Sequence, residues 1–392
     1  MPPTKTEKTV YILGAGFSAP AGGPDQAKLI ERIFDLPDTD AKTSDAKKTL
    51  EDFLVTVMSV DRVKRAEVNL EDIYTPIDRC LADGLSLRDK SPAKLQELRS
   101  KIEYLISLAI DKSFDDRAAR NPTCRNYVTS FAEYLVNLAS VRAAKASGAA
   151  SAEEAKAYDP FSIISLNWDI VLDKAIYQAL GNKDHLDGDY DPFGVVDYCC
   201  YISSIEKTER RIRTGLWSLG ARGYNVKLLK IHGSMNWLQC SHCQQLFVSF
   251  DEKVNIPNFI NAKVCRRCSK FGVNATLQGS LVMPTFLKDL SNFQIKLVWQ
   301  NAAVELMEAD RLVFIGYSLP HADFEFRQLL SRMVRKDAKI DVVLYHDGKA
   351  AGKRRYKEEC KRYRQFFGAR KVTTNYEGVV AFVRKLTLPT SP

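Results

Sequence analysis

The chain has 392 residues, 45% of them hydrophobic and 27% charged. This is the composition of a globular protein, and the length suits one large domain with insertions or two to three modules. No apolar run approaches the roughly 20 residues that a membrane helix needs, and the first strand begins near Thr9, which leaves no space for a signal peptide. We therefore expect a cytoplasmic protein that does not bind membranes. The formal net charge of +9 is localised, because residues 332–371 alone carry 14 Lys or Arg against 5 Asp or Glu.

The chain opens with a strand, a glycine turn and a helix. Residues 9–13 form an apolar run, the turn follows directly, and residues 27–34 have apolar positions at helical spacing. The next region is helical in its patterning, without the alternation that is typical of strands. We interpret residues 38–155 as a helical insertion.

Four more strands are predicted after this insertion, at residues 161–166, 226–233, 310–316 and 339–347. Most of them end in a polar or glycine corner, and the residues after that corner have apolar positions at helical spacing. Strands that alternate with helices predict an α/β fold with a Rossmann-like parallel sheet, whose ligands bind at the carboxyl ends of the strands. We assign residues 1–37 and 156–392 to this domain, and residues 238–282, which contain two CxxC pairs, to a small zinc-ribbon module.

The glycine turn has the pattern of a phosphate site. Gly14, Gly16 and Ala19 fit G-x-G-x-x-G/A between a strand and a helix, which is the context that gives this pattern meaning. The first glycine permits a tight turn, and the second lets phosphate oxygens approach the backbone. A glycine turn that binds nothing is the alternative. A hydride-transfer enzyme fits poorly, because a helix follows here instead of a second strand bearing an acidic residue.

Four of the nine cysteines form two CxxC pairs. Cys240 and Cys243 make the first pair, and Cys265 and Cys268 make the second after 21 intervening residues. In a protein of the cytosol, this spacing indicates metal rather than disulfides. Four thiolates fill the tetrahedral shell of a zinc ion, so Zn²⁺ would be structural. Four free thiols are the alternative.

Four corner motifs follow one another along the chain, namely GAGFSAPAGGPD (14–25), LNWD (166–169), IHGS (231–234) and IGYSLP (315–320). Together with the CxxC pairs after the histidine, they resemble the motifs of the sirtuin family over residues 9–37 and 160–348. The resemblance implies a Rossmann-like fold, NAD as the substrate and a structural zinc ion. It also implies that the NAD is held by Gly14, Ala15, Gly16, Ser18, Asp25, Gly316 and Ser318.

The departures from the family favour NAD cleavage without deacylation. A deacylase follows its Pro-Asp pair with Phe and Arg, whereas Gln26 and Ala27 follow Asp25 here. Leu166 and Trp168 replace the usual glutamine and isoleucine of the second corner. The GYSLP form and the long insertion look more like the divergent prokaryotic sirtuin-like effectors of antiphage defence. The resemblance thus implies an NAD⁺ glycohydrolase, with an NAD-dependent protein deacylase or a non-catalytic NAD- or ADP-ribose-binding regulatory subunit as alternatives.

Cleavage of the nicotinamide–ribose bond passes through an oxocarbenium-like state. It needs a polar group that positions water or the ribose hydroxyls, and a base whose pKa lies near neutrality. Asn167 suits the first task and His232 the second, while the resemblance implies that Asp169 orients the nicotinamide amide. Asn167 and Asp169 could instead be a helix cap, and His232 a turn histidine. Ser318 could cap a helix rather than contact phosphate.

The basic segment near the C-terminus predicts an amphipathic helix. Tyr356, Cys360, Tyr363 and Phe367 form one apolar stripe, with Lys and Arg elsewhere. Such a helix either packs on the domain with its charges in solvent or docks an acidic partner or nucleic acid. Nothing in it reads bases, so contact with nucleic acid would be indirect or unspecific.

Free NAD hydrolysis would be toxic to the host cell. We therefore expect the activity to be gated by formation of a homo-oligomer or by a regulatory protein partner. The family resemblance suggests an ATPase or an Argonaute-like subunit as such a partner.

Overall fold

The computed structural model describes residues 7–146, 160–186, 194–205, 212, 223–250, 255–285, 288, 290–368 and 372–388. Its strands are β1 (Thr9–Leu13), β2 (Phe161–Ser165), β3 (Gly194–Asp197), β4 (Ile202–Ser204), β5 (Tyr224–Lys230), β6 (Gly233–Cys240), β7 (Leu246–Val248), β8 (Leu277–Leu281), β9 (Arg311–Ile315), β10 (Lys339–Val343) and β11 (Val372–Asn375). Its α-helices are α1 (Ala15–Ser18), α2 (Leu29–Phe34), α3 (Ala41–Thr56), α4 (Leu70–Asp83), α5 (Pro92–Arg120), α6 (Asn126–Ala146), α7 (Val171–Leu186), α8 (Asn255–Ile260), α9 (Arg266–Ser269), α10 (Phe293–Glu308), α11 (Phe324–Met333), α12 (Ala350–Phe367) and α13 (Gly378–Thr387).

Seven strands form a sheet in which every neighbouring pair is parallel, in the order β11-β10-β9-β1-β2-β5-β3. The central strands β1, β2 and β9 are apolar runs that are buried almost throughout, as expected where helices cover both faces of a parallel sheet. The predicted α/β class with a Rossmann-like parallel sheet is confirmed. The five predicted strands correspond to β1, β2, β5, β9 and β10.

The corners that follow β1, β2 and β9 lie side by side at one edge of the sheet. Leu13 lies opposite Ser165 in β2 and opposite Ile315 in β9, so the three strands end at the same level. The N–H of Leu166 donates to the carbonyl of Leu13 at 2.9 Å, and the N–H of Gly14 donates to that of Ile315 at 3.1 Å. The glycine turn, the LNWD corner and the GYSLP corner therefore meet where sheets of this class bind ligands.

The region from α3 to α6 is helical, as predicted, and contains no β-strand among its described residues. Its longest helix, α5, begins with Pro92 behind Ser91, whose hydroxyl accepts the N–H of Lys94. α6 packs against α7 and β5, so this helix also covers the main sheet. The division of the chain at residues 38–155 stays a prediction. Within the described ranges, no helix is both long and apolar enough to cross a bilayer.

A second, four-stranded sheet has the order β4-β7-β6-β8, and its strands lie between β3 and β9 along the chain. β6 pairs antiparallel with β7 and β8. The sequence did not predict β6, because its buried run follows β5 after a corner of only two residues, Ile231 and His232. Leu238, Phe247 and Leu277 pack with the paired cysteines into a small core of their own.

Candidate active site

The glycine turn packs directly against the GYSLP corner. The N–H of Gly16 donates to the carbonyl of Gly316 at 2.8 Å. A Cβ on Gly16 would lie 2.7 Å from the Cα of Gly316, and a Cβ on Gly14 would lie 2.7 Å from the carbonyl oxygen of Gly316. These glycines therefore permit backbone contact between the β1 and β9 corners. The phosphate pattern did not predict this role, and α1 is too short to supply a strong helix dipole.

We expect Gly16→Ala to weaken ADP-ribose binding by about 10-fold or more, because the added methyl forces the two corners apart. The backbone of Gly316 cannot move aside as a flexible side chain can, so overpacking also costs about 1–3 kcal/mol of folding stability. Calorimetric titration and urea unfolding measure the two effects. Gly84→Ala is the control for the binding measurement, since a Cβ there meets nothing within 4 Å; the positive φ of Gly84 makes this variant unsuitable as a control for stability. Equal ADP-ribose affinity in both variants would contradict the prediction.

A cavity of about 740 Å³ opens at the carboxyl ends of β1, β9 and β10, a volume typical of small-molecule sites. Five of the predicted cofactor residues line it, namely Ala15, Gly16, Asp25, Gly316 and Ser318. Gly14 and Ser18 are not among its lining residues and belong to the contacts behind the turn. Ser318 does not cap a helix, because α11 begins only at Phe324, behind Asp323.

Two arginines that the sequence patterns did not single out also line this cavity. Arg117 comes from α5, and its Nε donates to the carbonyl of Pro20 at 3.2 Å. Arg355 comes from α12, and its Nε lies 3.5 Å from Oε1 of Glu359. Guanidinium groups are forked donors that match phosphate oxygens, so the pair suits the diphosphate of a dinucleotide. No local pattern could reveal Arg117, which is 97 residues from Pro20 in sequence.

Asn167 connects the second corner to the glycine turn. Its Nδ2 donates to the carbonyl of Gly14 at 2.9 Å and to the hydroxyl of Ser18 at 3.2 Å. The hydroxyl of Ser18 in turn donates to Oδ2 of Asp169 at 2.7 Å. Because these bonds use both N–H groups of Asn167, its Oδ1 is the atom left to accept a hydrogen bond from a water or a sugar hydroxyl.

Asp169 has two roles in this network. Its Oδ1 accepts the N–H of Val171 at 3.1 Å, so the helix-cap interpretation is correct for this oxygen. Its Oδ2 receives the hydroxyl of Ser18. Burial raises the pKa of Asp169, while the ammonium of Lys230 and the hydroxyl of Ser18 lower it. The cap and the polar network thus share one carboxylate.

A buried ion pair lies directly beneath this corner. Lys230 and Asp173 have side chains that are 1% and 2% exposed, and the ammonium lies 3.1 Å from Oδ2. The same ammonium donates to the backbone carbonyl of Asp169 at 2.5 Å, and the hydroxyl of Tyr198 donates to Oδ1 of Asp173 at 2.9 Å. The pair therefore ties β5 to the start of α7 and holds the LNWD corner in place.

Lys230→Met is expected to lower the free energy of unfolding by about 3–5 kcal/mol, because it leaves a buried carboxylate without its cation. The double variant Lys230→Met/Asp173→Leu removes that charge as well and should recover most of the loss. Urea unfolding measures both. Lys339→Met is the surface control, since its partner Glu7 is half exposed and such pairs contribute about 0–1 kcal/mol. A Lys230→Met protein with the same free energy of unfolding as Lys339→Met would contradict the prediction.

His232 lies at the corner between β5 and β6. Its Nδ1 lies 3.2 Å from the carbonyl of Leu166, the residue before Asn167. The residue is 7% exposed, and burial is the largest cause that lowers the pKa of His232. The imidazole is therefore neutral near pH 7 and is anchored to the same corner that carries Asn167.

The structure brings Asn167, Asp169 and His232 together, but none of the three is among the residues that line the 740 Å³ cavity. They lie behind the glycine turn, to which Asn167 is bonded through Gly14. Asp169 borders a separate cavity of about 330 Å³ beside α5, α6 and α7. In this conformation the cavity and the three polar side chains are adjacent but not continuous.

The four paired cysteines form one cluster. Their sulfur atoms all lie within 4.8 Å of one another. The Sγ atoms of Cys240 and Cys268 are 3.6 Å apart, and those of Cys243 and Cys265 are 3.7 Å apart. Zinc–sulfur bonds of about 2.3 Å place tetrahedral ligands about 3.8 Å apart, so this donor set fits a zinc ion.

No protein-family model matches the chain, and neither does any curated protein. Among solved structures, it is similar to one described as the structural basis for sirtuin substrate affinity, at 14% identity and a TM-score of 0.35, over 97% of this chain and 92% of that one. It is also similar to Sir2 in complex with the inhibitor EX-527, 2′-O-acetyl-ADP-ribose and a deacetylated p53 peptide, at 13% identity and a TM-score of 0.33, over 96% and 91% of the two chains.

Proposed function

We propose that the protein is an NAD⁺ hydrolase that cleaves the nicotinamide–ribose bond and depletes NAD in bacterial antiphage defence. The observation that carries the proposal is the polar network at the sheet edge. Asn167 joins Gly14 to the Ser18–Asp169 pair, and His232 is anchored one residue away. An amide that can position water and an imidazole thus belong to the same corner, beside a cavity of dinucleotide size.

The cavity is the proposed place of the ADP-ribose part of NAD. Arg117 and Arg355 would bind the diphosphate, and the turn at Ala15 and Gly16 forms one wall. Three carboxylates also line the cavity and partly offset the two positive charges, namely Asp25, Glu359 and Glu377. The resemblance of the corner motifs to sirtuins agrees with this placement. The nicotinamide end then points toward Asn167 and His232.

The proposed reaction consumes water. The glycosidic bond breaks, nicotinamide leaves with the bonding electrons, and the ribose carbon becomes oxocarbenium-like. Oδ1 of Asn167 positions the water or a ribose hydroxyl, His232 takes a proton, and Asp169 orients the nicotinamide amide. Water adds to the ribose carbon, so the products are ADP-ribose, nicotinamide and one proton.

We propose that the activity is gated. The polar side chains lie behind the glycine turn and not in the cavity wall, so the nicotinamide end reaches His232 only after the turn moves. Formation of a homo-oligomer, or binding of a protein such as an ATPase or Argonaute-like subunit, is the proposed trigger. The cytoplasm, where NAD is present, is the proposed location.

The separation of Asn167, Asp169 and His232 from the cavity also favours a second candidate. This candidate is a regulatory subunit that binds NAD or ADP-ribose without cleaving it. NAD turnover separates the candidates when nicotinamide release is measured for the chain alone, with its candidate partner proteins, and with an acylated peptide. Release without peptide supports the hydrolase, and strict dependence on the peptide supports a deacylase. Binding of ADP-ribose with no release in any of these mixtures supports the regulatory subunit.

We propose that the cysteine cluster holds a structural zinc ion. Cys240, Cys243, Cys265 and Cys268 would complete its tetrahedral shell, which leaves no position for a substrate. The ion would join the end of β6 to α9 and stabilise the small sheet, whose own core is only a few side chains.

A further inference from the structure

The Nε2 atom of His232 faces the carboxylate of Asp323. The carbonyl of Leu166 can only accept, so Nδ1 carries the proton and the lone pair of the neutral ring is at Nε2. Nε2 lies 3.8 Å from Oδ1 of Asp323, which is too far for a hydrogen bond. It takes no hydrogen bond among the residues that the structure describes. Nε2 is thus buried, ready to accept a proton, and next to a carboxylate.

The carboxylate of Asp323 is turned away from its own helix. Asp323 precedes α11 at the cap position, where an aspartate ordinarily accepts backbone N–H groups, yet its side chain makes no such bond. Instead, the hydroxyl of Tyr317 donates to Oδ2 at 3.0 Å. The ammonium of Lys288, 1% exposed, lies 3.3 Å from Oδ1. These contacts hold the carboxylate toward His232 at the expense of the cap.

We propose that Asp323 is a positioning residue for His232, whose carboxylate stabilises the imidazolium that forms when Nε2 takes a proton from a ribose hydroxyl. In this step the hydroxyl O–H bond breaks, its electron pair stays on the oxygen, and an Nε2–H bond forms. The proton later passes to solvent water. The reaction in this inference rests on the proposed NAD cleavage, whereas the pairing of the two side chains does not.

The charged groups around His232 predict the direction in which its pKa changes when each of them is removed. Asp323 and Glu325 face it from the start of α11, and Lys288 faces it from the segment before α10. The two carboxylates raise the pKa of His232, while burial and Lys288 lower it. Removal of Asp323 should therefore lower that pKa further, and removal of Lys288 should raise it.

Titration of the histidine ring signals by NMR tests the pairing without any activity, with His232→Gln to assign the signal. Asp323→Asn should lower the pKa of His232 by about one unit or more, and Lys288→Met should shift it upward. Glu325→Gln is the matched control. It removes a carboxylate that also contacts Lys288, at 3.2 Å, and should give a smaller shift. If Asp323→Asn does not fold, Asp323→Ser takes its place, because serine suits the cap position before α11. It removes the same carboxylate and should give the same downward shift.

The pH profile of kcat tests the role in catalysis. Asp323→Asn should move the acid limb to lower pH by about one unit and lower the plateau by about 10-fold, since a less basic imidazole is a weaker base. An unchanged His232 titration in Asp323→Asn overturns the inference. The expected titration shift in a protein that never cleaves NAD overturns the proposed function and leaves the pairing intact.

Discussion

Asn167→Ala is expected to lower kcat for NAD cleavage by about 100-fold or more. The substitution removes the oxygen that positions water or ribose, and it also removes the two bonds that hold the second corner on Gly14 and Ser18. Nicotinamide release, measured in whichever assembly turns over NAD, gives the effect. The protein should still fold, because the side chain is only partly buried.

Asn69→Ala is the control for this prediction. Asn69 is exposed, stands before α4 and makes no side-chain cap bond there, so its removal should leave kcat at the wild-type value. A wild-type kcat in Asn167→Ala would show that the amide has no part in the reaction. Loss of ADP-ribose binding together with kcat would show that Asn167 acts on the shape of the cavity.

Replacement of two cysteines in the cluster is expected to remove the zinc ion and to lower the melting temperature. The purified protein should carry about one zinc ion per chain, and Cys240→Ser/Cys268→Ser should abolish that content. Because zinc binding contributes folding free energy, we expect the melting temperature to fall by about 10 °C or more. Elemental analysis and thermal unfolding measure the two changes.

Cys80→Ser controls for the loss of a thiol as such. Cys80 lies in α4, outside the cluster of four, and its replacement should leave the metal content unchanged. Wild-type protein that contains no zinc, and that melts at the same temperature with and without a chelator, would contradict the structural role.

The sequence predicted the main sheet because its central strands are continuous apolar runs buried on both faces. It missed β3 and β11, which lie at the two edges of the sheet and have only four residues each. Short strands of this kind have too little periodicity to stand out. The predicted apolar stripe of the basic segment packs on the domain: Cys360, Tyr363 and Phe367 are buried on α12, and Tyr356 is partly buried.

The corner residues could be predicted because parallel strands end at one edge, which brings together side chains that are distant in sequence. Gly14, Asn167 and Gly316 illustrate this rule. Asp323 and Lys288 could not be predicted in the same way. Their roles depend on side-chain directions at the start of α11 and in the segment before α10, which no spacing pattern encodes.

The proposed hydrolysis depends most on where the nucleotide binds. The most direct measurement is an experimental structure with ADP-ribose bound, determined in whichever assembly turns over NAD. We predict the diphosphate between Arg117, Arg355 and the glycine turn, with the terminal ribose within about 3.2 Å, or one water, of Asn167 and His232. A nucleotide bound elsewhere, or a terminal ribose that points away from both side chains, would contradict the account.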